Sequence, residues 1–362
     1  MRRRIVQQRA EVQTQNLRLP RMVAAAALFL SLAWYAAASG AEPDTMQRYE
    51  YSEVHMGAEI RLVLYSASAA TANRAADSAY ARIAELNRIL SDYDPKSELS
   101  LLSAASGSGR AVPVGADLWF VLERSQRLAA ATDGAFDVTV GPIVKAWRSA
   151  RRSHTFPSDD RLARARAPVG YKNLKLDPEA RTAELLVPDM LLDLGGIAMG
   201  YAADEALKVV GRFGIRSAMV DASGDVACSD APPGKEGWRI GIAPLTETKG
   251  PPSRYVVIKN GALTTSGDAF QFVELNGRRY SHIVDPKTGL GLTTRSSVTV
   301  TARDCITADS LATAVSVLGP EKGLPLVKQT PGAAVLIVRA EDDGIHTSQS
   351  ENFVSESAEV AK

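Results

Sequence analysis

The sequence predicts an α+β protein: a single large domain with mixed or antiparallel sheets flanked by helices. Three observations carry this. Apolar residues make up 45% of the 362 and charged residues 23%, the balance of a folded chain with a sizeable core. Helical spacing dominates the first half, whereas strand-like stretches cluster in the second. Strands and helices do not alternate regularly, which argues against a doubly wound parallel sheet. The net charge of +1 gives no electrostatic footprint for nucleic acid.

Taken in order, the chain begins basic and apolar. Residues 1–41 carry six arginines and one acid, Glu11; the remainder carries 36 bases against 40 acids. Arg18 and Arg21 lead into an apolar run from Val23 to Ala38, then Ser39, Gly40 and Ala41. This is the layout of a secretory signal peptide over residues 1–41, cleaved after Ala41, and so of an exported, periplasmic protein. An uncleaved anchor is the competing reading, although the run is short of the ~20 residues a membrane span needs. The expected domain covers residues 42–362, with a frayed tail from about residue 355.

Within it, residues 58–65 alternate as a strand does. Ala72, Ala76, Ala79, Ile83, Leu86 and Leu90 mark a helix over residues 69–91, stopped by Asp92-Tyr93-Asp94-Pro95. A second helix is expected from Asp117 to Ala131, ended by Asp133-Gly134. The arginine-rich residues 148–158 read as a solvated surface loop. A short strand end at 191–194 meets Gly195-Gly196, and a helix follows from Ile197 to about Gly214. Strands are expected near 215–221, 238–243, 254–260, 279–284, 296–302 and 332–339, with a helix over Ile306–Leu318 stopped by Gly319-Pro320. Cys228 and Cys305 fit neither a Cys-x-x-Cys pair nor a zinc-ligand spacing, and read as ordinary thiols.

Four segments could carry chemistry. In Leu191–Asp204 a strand ends at Asp193, two glycines follow and a helix opens, an arrangement whose free N–H groups and dipole suit phosphate, or a plain capped turn. Asp309 and Thr313 are four apart, on one helix face, where oxygen ligands could hold a hard cation; the competing role for Asp309 is to cap the helix. His282 and Asp285 flank an Asp-Pro bend closed by Gly289, and histidine is the side chain suited to proton transfer near neutral pH. Tyr93, the stretch Thr132–Pro142 and the hydroxyls of Thr264-Thr265-Ser266 complete the set.

In combination and order these segments resemble the ApbE family of flavin transferases over about residues 50–340. The resemblance runs through Ser91–Ser100, Thr132–Trp147, Pro157–Tyr171, Asp193–Asp204, Asp221–Asp225, Thr265–Gly267, Ser281–Gly289 and Ala308–Ala314. It implies a ligand cleft between two halves of the domain and Mg²⁺-dependent transfer of FMN from FAD to a Thr or Ser hydroxyl of an acceptor flavoprotein of a respiratory chain, releasing AMP. The implied FAD contacts are Met56, Asp92, Tyr93, Ala135, Phe136, Asp137, Asp193, Met199, Thr265, Ser266, His282 and Ile283. The implied Mg²⁺ ligands are the Gly196 carbonyl, Asp309 and Thr313. His282, oriented by Asp285, is the implied acid–base pair. Met199 stands where the family commonly carries lysine. The alternatives are a Mg²⁺-dependent FAD pyrophosphatase, with water as acceptor, and a non-catalytic periplasmic FAD-binding protein. No role in membranes is implied beyond the signal segment or the acceptor.

Overall fold

The computed structural model describes residues 45–245, 250–267 and 271–357, so the signal segment expected at 1–41 lies outside the described residues. Among the described residues no helix is long and apolar enough to cross a membrane.

Strands β1 (Gln47–His55) and β2 (Ala58–Ser66) pair as an antiparallel hairpin. Its turn places Met56 and Gly57 at φ 52° and 79°, the doubly positive geometry that matches strand twist. Helix α1 (Ala69–Leu90) follows, its first turn capped by Ser68, which accepts from the Thr71 N–H at 3.4 Å. Its stripe of Ala72, Ala76, Ala79, Ile83 and Leu86 is buried, as the spacing predicted.

Next come α2 (Glu98–Ala104), β3 (Val112–Pro113), α3 (Ala116–Ala131), α4 (Gly141–Ser153), α5 (Asp159–Arg166), β4 (Leu174–Asp177) and β5 (Thr182–Leu185). Here the structure corrects the expected basic loop at 148–158: residues up to Ser153 belong to α4, which buries Ile143, Ala146, Trp147 and Ala150 at helical spacing. Three arginines on the opposite side of that helix made the segment look solvated.

Then follow α6 (Ala198–Gly211), β6 (Ala218–Ala222), β7 (Asp225–Cys228), β8 (Trp238–Ile242), β9 (Arg254–Ile258), β10 (Gly261–Gly267), β11 (Phe272–Leu275), β12 (Arg278–Ser281) and β13 (Ser296–Ala302). The chain closes with α7 (Cys305–Lys328), β14 (Ala334–Glu341), β15 (Gly344–Gln349) and β16 (Glu356–Ser357). Gly319, at φ 70° and ψ −178°, is non-helical, so the helix that opens at Cys305 stops at the expected Gly319-Pro320 and a second helical segment completes α7. One expected end shifts. Glu356 and Ser357 pair with β9, so the tail is ordered past the expected fraying point.

The main sheet has eight strands in the order β1-β2-β6-β7-β10-β13-β14-β15, and all its pairings are antiparallel. Helices α1, α6 and α7 cover one face through a core that includes Leu62, Val220, Val298, Leu311 and Val315. The small sheet β16-β9-β8 covers the other, around Val63, Val226, Trp238 and Leu336. A second body, α2, α3 and the β3-β5-β4 sheet, packs onto α6 through Leu118, Leu122, Ala198 and Tyr201. A third cluster ties α4 to the β11–β12 hairpin. The N-terminal end of α6 therefore lies where these bodies meet.

Candidate active site

The floor of the site is the contact between α6 and α7. Asp193 Oδ1 accepts from the Gly195 N–H at 2.8 Å and fixes the glycine turn before α6. A Cβ on Gly196 would lie 2.9 Å from Thr313 Oγ1, and one on Gly200 would lie 2.8 Å from Asp309 Cβ. Only glycine permits this approach of the two helices. The Gly200 N–H donates to Asp309 Oδ2 at 3.0 Å, and Asp309 is only 4% exposed. Capping of α7 falls to Asp304, which accepts from the Thr307 N–H at 3.0 Å, so Asp309 is not the cap. Asp204 accepts from the Cys305 and Ile306 N–H groups at 2.8 and 2.9 Å, a second support for the start of α7.

These acids share one low-dielectric region. Burial, with Asp225 adding to it, pushes the Asp309 carboxyl well above the ordinary range. Burial raises Asp225 to about 7 against a hydrogen bond from Thr264, and raises Asp204 to about 6 against its two backbone bonds. Three oxygen donors of different kinds, the Gly196 carbonyl, the Asp309 carboxylate and the Thr313 hydroxyl, belong to this contact. All are hard ligands, and a divalent cation there would favour the ionised state that burial opposes. The residues fit Mg²⁺. Cys228 and Cys305 are free and buried, as expected of ordinary thiols.

The rim is held by a residue that the sequence reading left in a loop. Arg148, on α4, pairs with Asp92 and, through Nη2, with Asp193 Oδ2 at 2.8 Å. Its guanidinium lies 4.3 Å from the centroid of the Tyr93 ring, which is 74% exposed. Burial works against the Arg148 charge, but the Asp193 and Asp92 carboxylates outweigh it and hold the group above its ordinary range. Asp92, Tyr93 and Asp193 are thus brought together around the Arg148 guanidinium.

Ala135, Phe136 and Asp137 are buried. Asp137 Oδ1 accepts from the Thr139 N–H at 2.8 Å and the Thr139 hydroxyl at 2.7 Å, and the Asp193 N–H donates to the Val138 carbonyl at 2.8 Å. This segment braces Asp193 from behind. Met199 lies half-buried in the first turn of α6 and packs on the core without bringing charge to the site. Met56 packs on the same core from the β1–β2 turn.

His282 follows β12 and is exposed. Its Nδ1 lies 3.0 Å from the Gln271 carbonyl, which can only accept; Nδ1 therefore carries the proton and Nε2 the lone pair. Asp285 does not match its expected role of orienting His282. Its Oδ1 accepts from the Lys287 N–H at 2.8 Å and its carbonyl accepts from the Gly289 N–H at 2.8 Å, both bonds of the Asp-Pro turn. That turn is anchored by Trp147, whose Nε1–H donates to the Gly289 carbonyl at 2.8 Å. The Ile283 side chain is buried beside it.

Strand alternation separates the hydroxyls. Thr264 faces α7, with its Oγ1 3.8 Å from Cys305 Sγ and a hydrogen bond to Asp225. Thr265 points to the opposite face, where its hydroxyl meets that of Thr299 at 2.9 Å. By the same alternation Ser266 has the parity of Thr264, so Thr265 and Ser266 project to opposite faces of β10. Beyond Thr313 a cleft of about 500 Å³ opens between residues 315–321 of α7 and the loop 290–294, with Arg278, Asp285 and Arg339 in its walls.

This architecture is that of bacterial flavin transferases. The flavin transferase ApbE from Vibrio cholerae superposes with a TM-score of 0.76 over 85% of this chain and 98% of that one, at 29% identity. The ApbE protein from Thermotoga maritima gives 0.75 over 85% and 98%, at 30% identity. In sequence, the profile of the ApbE family matches residues 56–337. The FAD:protein FMN transferase of Haemophilus influenzae is 31% identical over 290 residues, 78% of this chain and 84% of that protein. The FAD:protein FMN transferase of Vibrio cholerae is 33% identical over 272 residues, 74% of this chain and 80% of that protein. The chain belongs to the ApbE family.

Proposed function

We propose that this protein transfers FMN from FAD to a Thr or Ser hydroxyl of an acceptor flavoprotein and releases AMP, with Mg²⁺ as cofactor. The observation that carries the reading is the close packing of Gly196 on Thr313 and of Gly200 on Asp309, whose buried carboxylate accepts from the Gly200 N–H in the first turn of α6. The Gly196 carbonyl, Asp309 and Thr313 would hold Mg²⁺, which when bound supplies charge neutralisation for the FAD diphosphate.

The chain's own residues supply position and proton transfer. Asp193, Tyr93 and Arg148 form the end of the site where a ring system can stack on an exposed aromatic. The cleft beyond Thr313, about 500 Å³, is of a size to take the other half of a dinucleotide. The acceptor oxygen forms a bond to the FMN-side phosphorus as the bond from that phosphorus to the AMP oxygen breaks. His282 Nε2 takes the acceptor proton, its tautomer set by the Gln271 carbonyl. The basic and apolar start of the chain supports export to the periplasm, where a flavoprotein of a respiratory chain is the acceptor class.

The test follows AMP release and the intact mass of an acceptor domain bearing a Thr flavinylation motif, with FAD and either Mg²⁺ or EDTA. AMP together with an FMN-sized mass gain, both lost in EDTA, is the expected result. AMP and free FMN with no mass gain would make the protein a pyrophosphatase instead. Bound FAD with neither product would leave a binding protein.

A further inference from the structure

We infer that Arg148 is a positioning residue for the metal cradle, acting through Asp193 on the Gly195–Gly196 turn; this rests on the reading that a divalent cation binds Gly196, Asp309 and Thr313. The two oxygens of Asp193 have separate partners. Oδ1 accepts from the Gly195 N–H and Oδ2 from Arg148 Nη2, each at 2.8 Å. Gly196, the next residue, sits against Thr313. A two-glycine turn has the largest backbone entropy to lose and no side chain to hold it, so its geometry must be imposed from outside. Asp193 imposes it, and Arg148 fixes the rotamer of Asp193.

Arg148 is itself held on two sides. Asp92 takes Nη1, and the Tyr93 ring lies against the guanidinium. The fork geometry of arginine lets one side chain join two carboxylates from separate segments, which a lysine point charge cannot reproduce. Arg148 also lines a cavity of about 20 Å³ with Ser281 and His282, so the same cation stands between the cradle and the candidate base. Moving Arg148 would therefore loosen the Gly196 carbonyl before it touched α7.

The test is a Mg²⁺ titration of the whole protein, read both as FMN transfer at saturating FAD and as the Mg²⁺-dependent rise in melting temperature with FAD present. R148M keeps the stem and removes the fork; R148K keeps the charge. Expected are at least a fivefold increase in half-saturating Mg²⁺ for R148M, a reduced Mg²⁺-dependent thermal shift, and an intermediate R148K. D193N should shift the Mg²⁺ requirement in the same way and add less than twofold on top of R148M. A folded R148M with the wild-type Mg²⁺ requirement overturns the inference, as does a change confined to the Michaelis constant for FAD. If R148M does not fold, R148K and D92N, which removes only the outer anchor, decide by the same two readouts. A wild-type protein indifferent to EDTA would instead sink the cation reading itself.

Discussion

The floor and the rim of the site solve opposite electrostatic problems. On the floor, Asp204, Asp225 and Asp309 are acids gathered around the contact between α6 and α7, held by backbone N–H groups and Thr264; among the described residues none forms an ion pair, and Lys208 only draws on Asp204 from a distance. At the rim, Asp92 and Asp193 share the guanidinium of Arg148. A buried acid with a fixed cationic partner is satisfied before any ligand arrives; one without it stores an unmet demand for positive charge. The rim is built to hold a shape, and the floor keeps its acids without a paired cation, as the proposed metal site requires.

The largest expected break in that contrast comes from Asp309. D309A should lower FMN transfer by at least about 10³-fold, because the carboxylate supplies charge that no neighbour replaces. D309N, which keeps an acceptor for the Gly200 N–H, should melt in EDTA at or above the wild-type temperature. A marked fall in melting temperature would mean that Asp309 is a strut of the fold. Next in size, H282A should lower kcat by about 10²-fold while FAD affinity changes little, the pattern of a group used in the transition state. Equal losses in both would reduce His282 to a binding contact.

The floor should also declare itself in stability against pH. With Asp204 raised from 3.8 to about 6 and Asp225 to about 7, the folded protein keeps protons that the unfolded chain has lost. Stability of the metal-free protein should therefore fall as pH rises from about 4 towards 7 and then level off, with Asp204 alone contributing about 3 kcal/mol. The ion-paired Asp117 and Glu205 are lowered instead and act on the acid side of that window. Thermal melts in EDTA across pH 4.5–8 check this, and saturating Mg²⁺ with FAD should flatten the decline. The smallest effect separates neighbours on one strand. T264V removes a partner of Asp225 and should cost about 1–3 kcal/mol, whereas T265V, on the other face, should leave transfer within about twofold. Equal effects would contradict the alternation on β10.

Much of the floor was legible in the sequence because its determinants are local. Asp309 and Thr313 share a helix face by their spacing, and Gly195-Gly196 announces a turn into a helix. The rim was not, because its key residue belongs to an arginine-rich stretch whose charge density reads as solvent-facing. The partners that bury Arg148 lie 56 and 45 residues away. A run of hydroxyls such as Thr264-Thr265-Ser266 carries no sign of which parity faces the helices. Asp285 looked like a partner for His282 at a spacing of three, yet a residue before proline in a tight turn spends its oxygens on that turn. The alternation of β2, the stripe of α1 and most later strands were readable for the same reason as the floor: period is a short-range signal. The short pairings, such as β16 with β9, have none.

The separation of those partners bears on how the protein assembles. Arg148 reaches back to Asp92 and forward to Asp193, and the Gly200–Asp309 bond joins residues 109 apart. Closing such loops costs entropy before any contact repays it, so no fragment of the chain carries a partial site and the cradle forms only with the complete topology. A ligand that binds there has nothing to recognise in the unfolded chain. Its binding energy then adds to the stability of the whole domain by mass action, growing by about 1.4 kcal/mol for each tenfold excess over the dissociation constant. Newly made chains would in that case be sorted by ligand supply as much as by sequence, with the ligand-poor molecules the first to be degraded.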